Sequence, residues 1–256
     1  MTTVKDIYDY IDTLAPFSTQ LPFDNAGFLV GDGSKAVERI GFCLDITNEA
    51  VEKAADSGVD LIVSHHPVIF NKLGTVKAGS VVFNLIEKGI GAICAHTNYD
   101  SCIGGVNDCL FDLLGLSAKQ PLYCKEFPNA PALGRVGMLP TPMSIYEFAK
   151  MVKLKLNSPD VRYTSNCNRI IEKVAVCGGA GSDLMHEAIS LGADALLTSE
   201  VKNHEWFEAN DLSFAILDAG HFSTESIAIK PLYQRVAERF EVECVLISQN
   251  APYKTI

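Results

Sequence analysis

Short apolar runs bounded by turn residues recur along the chain, at Ile40-Gly41-Phe42-Cys43, Leu61-Ile62-Val63-Ser64 and Ile90-Gly91-Ala92-Ile93-Cys94-Ala95. They return at Val174-Ala175-Val176-Cys177, Ala195-Leu196-Leu197-Thr198 and Phe214-Ala215-Ile216-Leu217-Asp218-Ala219. Runs of this kind predict strands buried on both faces, as in parallel sheets. Helical patterns lie between them, through Glu49, Ala50, Lys53 and Ala54 and through Glu187, Ala188 and Ile189, and Gly58 and Gly192 follow as left-handed helix ends.

Laid over each other without gaps, the two series place Cys43 on Cys177, Ala54 on Ala188, Gly58 on Gly192 and Asp60 on Asp194, each copy reading strand, helix, strand. After a further strand the first series continues as His96-Thr97-Asn98-Tyr99-Asp100 and the second as His221-Phe222-Ser223-Thr224-Glu225, a histidine followed after three residues by a carboxylate. The expected fold is therefore α/β, built from a duplicated unit, with polar clusters at the carboxyl ends of its strands, where open α/β sheets place ligands. Pro121 to Pro131 reads as a loose join, and Ser144-Ile145-Tyr146-Glu147 as a capping box opening a helix. The repeats are expected at residues 1–125 and 126–256.

Composition narrows the partners. Among 256 residues 48% are apolar, enough for a substantial core. No run approaches the roughly 20 apolar residues of a membrane span, and Met1 to Asp12 is polar and acidic, so a cytoplasmic location without membrane attachment is expected. The eight cysteines include no C-x-x-C and read as reduced core residues. A net charge of −10 disfavours nucleic acid as a partner, and the segment Lys150 to Lys155 reads as a solvated helix face. Acidity does not bar a phosphorylated small molecule, because bound cations would dominate the local field.

The chemistry concentrates where strands end. Leu61 to Ser64 runs straight into His65-His66-Pro67, and Pro67 forces His66 into an extended conformation, so both rings leave the strand end in diverging directions. Such a pair suits two ions roughly 3.5–4 Å apart better than one. Asp100 and Glu225 add hard oxygen ligands, able to bridge two cations, and His221 stands at the second strand end. Imidazole plus carboxylate suits zinc, iron, manganese or nickel. His96, if not a ligand, is the best candidate for a general acid/base. Cys177-Gly178-Gly179-Ala180-Gly181-Ser182 reads as an anion cradle or a tight turn with Ser182 as N-cap, and Asn107-Asp108 as a helix cap. Glu200 and His204, near the strand end after Thr198, are candidate substrate contacts or proton shuttles, and His186 reads as a surface residue.

Phe23-Asp24-Asn25-Ala26-Gly27, Ser64-His65-His66-Pro67, His96 to Asp100, Gly104-Gly105-Val106-Asn107-Asp108, Cys177 to Ser182 and Gly220-His221-Phe222-Ser223-Thr224-Glu225 occur in one order along the whole chain. Together they resemble the Nif-three-like dinuclear metal-centre family, the GTP cyclohydrolase I type 2 homologues, in its short form without an inserted central domain. The resemblance implies two intertwined α/β repeats and a ring-shaped homohexamer. It implies a metal site between the halves, with two ions on His65, His66, Asp100, His221 and Glu225 and His96 beside them. Where relatives often read Thr-Gly-Glu, this chain has Thr198-Ser199-Glu200. The expected function is hydrolysis of a nucleotide or another small phosphorylated or cyclic-amide substrate by a metal-activated water; the rival is a non-enzymatic metal-buffering or protein-interaction assembly.

Overall fold

The structure, a computed structural model, describes residues 1–165 and 169–254. In chain order it begins with α1 (Val4–Leu14), β1 (Gly27–Val30), β2 (Arg39–Cys43), α2 (Asn48–Asp56), β3 (Leu61–Ser64), α3 (Val81–Glu87), β4 (Gly91–Cys94) and α4 (Thr97–Ser101). There follow α5 (Val106–Leu114), β5 (Ser117–Leu122), β6 (Gly134–Ser144), α6 (Ile145–Lys155), β7 (Arg162–Tyr163), β8 (Ile170–Val176) and α7 (Met185–Ser190). The chain ends with β9 (Ala195–Thr198), α8 (Asn203–Asp211), β10 (Ala215–Asp218), α9 (His221–Glu225), α10 (Ile229–Arg239) and β11 (Glu243–Leu246).

These elements form two compact units, Met1–Ile103 with Ala228–Asn250, and Gly104–Ile227 with Ala251–Ile256. The division differs from the boundary expected at 125/126. α5 and β5 belong to the second unit because Leu110, Phe111 and Leu114 pack with Val174 and Leu197, and β5 pairs with β6. Residues 228–250 return to the first unit because β11 pairs in parallel with β2.

The first unit holds a five-stranded sheet, β1-β4-β3-β2-β11, parallel except for β1. The second holds a six-stranded sheet, β5-β6-β8-β9-β10-β7, with β8, β9 and β10 parallel and the outer pairings antiparallel. The fold is mixed α/β, as the runs predicted. Along β8, Val174 and Val176 pack with Phe148 of α6, while Ala175 joins Met185 and Ala188 of α7. Successive side chains thus enter different cores, which is why the run is apolar without alternation.

Local chemistry sets the joints. Gly58 and Gly192 have φ of +67° and +73°, the left-handed geometry expected of them. Asp60 accepts the backbone N–H groups of Glu38 and Arg39, and Asp194 those of Glu172 and Lys173. Ser144 and Glu147 form the expected capping box on α6. Two other capping expectations are corrected. The N-cap of α5 is Gly105; Asp108 instead accepts from Gly104 N–H and pairs with Arg135, and Asn107 reaches Gly178. Ser182 opens a 3-10 turn, and α7 begins only at Met185 without a side-chain cap. Among the described residues no helix is long and apolar enough to cross a membrane.

Candidate metal centre

In the first unit, parallel strands deliver the histidines to one end of the sheet. β3 ends at Ser64 and β4 at Cys94, so His65, His66 and His96 all stand past carboxyl-terminal strand ends. The backbone there is pinned: His65 N–H donates to Cys43, His66 N–H to Leu44, and Ser64 Oγ to the His66 carbonyl. The three rings gather, with centroids 5.0 Å (His65–His66), 5.2 Å (His65–His96) and 5.5 Å (His66–His96) apart. One nitrogen from each lies within 4.8 Å of the others. The neighbouring rings of His65 and His66 therefore turn toward a common point rather than diverging, because the chain has already left the regular strand. α4 presents Asp100, whose Oδ1 is 3.4 Å from His65 Nε2.

Each ring is oriented through Nδ1. His65 Nδ1 donates to the Ala95 carbonyl at 2.9 Å, His66 Nδ1 to Asp45 at 2.7 Å, and His96 Nδ1 to Asp24 at 2.8 Å. A carbonyl or carboxylate oxygen can only accept, so a proton sits on Nδ1, which leaves Nε2 as the ring atom able to offer a lone pair whenever the ring is neutral. That tethering by an outer oxygen is the usual support of metal-ligating histidines.

Asp24 is the most constrained of these carboxylates. Burial raises its pKa, but the His96 hydrogen bond and charge and the Thr97 hydroxyl and N–H outweigh it, holding the value at about 2 against an ordinary 3.8. The unfolded chain thus takes up a proton before the folded one. The stabilisation is full above the ordinary value and lost as pH falls through about 2. In metal-free protein, Asp24→Asn should remove about 2 kcal/mol of acid-dependent stability, measured by urea unfolding on either side of that window. An unchanged pH dependence would show that Asp24 is not so held.

In the second unit β9 and β10 end at Thr198 and Asp218, and Glu200 and His221 follow. His221 Nδ1 donates to Glu200 Oε1 at 2.8 Å, and its Nε2 lies 3.0 Å from Glu225 Oε2, one turn along α9. Glu200 takes this position with φ +55°, a sparsely populated backbone for a residue with a side chain. Glu225 is buried, and the glycine loop wraps it: a Cβ on Gly179 (φ +65°) would stand 2.1 Å from Glu225 Oε1. The loop is no anion cradle. Its Gly178, Gly179 and Gly181 amides already donate to Asn107 Oδ1, Thr224 Oγ1 and Thr198 Oγ1. Ser199 is buried and donates from both its backbone and its hydroxyl to the Gly179 carbonyl.

Asp24, Asp45 and Glu200 are thus ring-orienting carboxylates that sequence reasoning had not placed as such; Glu200 read as a substrate contact or a proton shuttle. The signal was faint, since each lies far in sequence from its histidine. His204 is exposed on the first turn of α8, and His186 is a surface residue beside Glu208, as expected. Burial pushes the Cys43 and Cys94 thiols well up, so both serve as small apolar core residues; Cys167 lies outside the described residues. In each unit, imidazole rings tethered at Nδ1 stand beside carboxylate oxygens, donors of the kind that fit borderline divalent metal ions.

A Clostridium perfringens protein called GTP cyclohydrolase 1 type 2 homolog is 32% identical over 248 residues, 95% of each chain. A hypothetical protein of Staphylococcus aureus has a similar structure, with TM-score 0.91 at 26% identity over 99% of each chain. Reduced HcgD from Methanocaldococcus jannaschii gives TM-score 0.85 at 28% identity, over 97% of this chain and 98% of that one. With the model of Duf34/NIF3 (NGG1p interacting factor 3) matching residues 2–252, the chain belongs to the Duf34/NIF3 family.

Proposed function

We propose that this protein is a metal-dependent hydrolase. It holds a pair of divalent ions, drawn from zinc, iron, manganese and nickel, on His65, His66, Asp100, His221 and Glu225, and it acts on a nucleotide or another small phosphorylated or cyclic-amide substrate. The observation that carries this reading is the shared tethering of His65, His66, His96 and His221 through Nδ1, three of them by carboxylates. Histidines kept only for packing have no need of one common orientation. Relatives named GTP cyclohydrolase 1 type 2 homolog support a small-molecule substrate. When bound, divalent ions supply Lewis-acid activation of water near neutral pH. The chain's own residues do the remaining work. Asp24 fixes the His96 ring so that Nε2 can take a proton from, or return it to, the reacting group.

Protein prepared without added metal should contain close to two transition-metal ions per chain by elemental analysis, and should hydrolyse a member of a broad screen of phosphorylated and cyclic-amide compounds. Metal without turnover would favour the buffering or interaction assembly instead. Glu225→Gln should lower metal content more than His96→Gln, whose effect should stay within the ~10–100-fold typical of an outer partner; the reverse order would exchange the two roles. We propose a homohexamer as well: light scattering should give six copies of the 27.8 kDa chain, and a monomer would remove the ring.

A further inference from the structure

Two large apolar side chains stay in water beside the histidine cluster, Phe23 at 52% and Phe70 at 46% exposure. Their ring centroids are 6.4 Å apart, and Phe70 meets His96 nearly edge-on, at 6.4 Å and 77°. The loops that carry them are tied down. Asn25 Nδ2 donates to the Ile69 carbonyl at 2.6 Å, joining the turn of Phe23 to the segment of Phe70. The neighbouring Asp24 is held by His96 and Thr97, and Ala26 N–H donates to Gln20 Oε1. Single exposed apolar residues are ordinary on a protein surface, but two aromatic rings on anchored loops against a polar cluster are the usual composition of a ligand pocket.

The pairing limits what would cover them. Ring faces favour a flat π-system over an aliphatic chain, and a base stacked on an aromatic side chain gains affinity whatever its identity, because every base has a π-face. The cluster of His65, His66 and His96 adjoining the rings suits an oxygen-rich group at the other end of the same molecule. We infer that Phe23 and Phe70 form a stacking platform for the heteroaromatic ring of the substrate, so that within the hydrolase reading, on which this rests, the substrate class is a nucleotide rather than a sugar phosphate or a simple cyclic amide.

Equilibrium binding to the intact protein tests this with GTP, ATP and inorganic triphosphate as probes. Phe23→Leu and Phe70→Leu keep apolar bulk and remove the ring face. Each should weaken GTP and ATP about tenfold and leave triphosphate unchanged, whereas Phe70→Trp, which keeps a ring face, should retain the parental nucleotide affinity. Equal losses for triphosphate, unchanged nucleotide affinity, or no nucleotide binding by the parent protein would overturn the platform. So would a fall in assembly mass by light scattering in the leucine variants, which would make the rings an intersubunit surface. Elemental analysis of the same samples separates the two readings. Metal-replete protein that ignores nucleotides fails the platform alone, and metal-free protein with ring-dependent nucleotide binding fails the hydrolase reading alone.

Discussion

Elemental analysis of the His65→Ala, His221→Ala double variant should find only traces of metal, against the close to two ions proposed for the parent protein. His65 is fully buried and its Nδ1 is committed to the Ala95 carbonyl, so its ring is held in one orientation. His221 is fixed in the same way by Glu200 and faces Glu225 at 3.0 Å. Removing one proposed ligand from each unit should exceed the ~10–100-fold loss typical of deleting an outer partner. Far-ultraviolet circular dichroism would confirm that the variant still folds. Full metal content in a folded double variant would place the ions elsewhere.

Gly179→Ala should damage both stability and metal content although it alters no proposed ligand. Its Cβ would meet Glu225 Oε1 at 2.1 Å and His221 Nε2 at 3.3 Å, in a backbone at φ +65° that disfavours any side chain. The loop cannot retreat, because Gly179 N–H is held by Thr224 and its carbonyl by Ser199 and Thr198. Glu225 must therefore move. Backbone strain and overpacking each cost about 1–3 kcal/mol, so urea unfolding should show a loss of that order, together with depleted metal. Gly178→Ala, whose Cβ would come no nearer than 3.0 Å to Val106 Cγ1, should be milder. A Gly179→Ala protein of parental stability and metal content would contradict the geometry.

The sequence by itself determined the buried strands and which histidines stand at their ends. Apolar runs without alternation predicted buried strands, and Val63-Ser64-His65-His66 and Leu217-Asp218-Ala219-Gly220-His221 showed histidines directly after strands, because strand ends and turn residues are local features that a linear pattern records. The Ser144 capping box was legible for the same reason: all its partners lie within one turn. What only the tertiary structure decided depends on partners distant in sequence. Asp24 reaches His96, Asp45 reaches His66, and Asn107 reaches Gly178 only after strands have paired. The glycine loop read as an anion cradle or a tight turn until its amides were found bonded to three side-chain oxygens. The unit boundary moved for a comparable reason. Nothing local in Glu243–Leu246 says that this strand will pair beside β2, a choice made by which sheet edge and which buried face remain to be covered once the rest of the chain has folded.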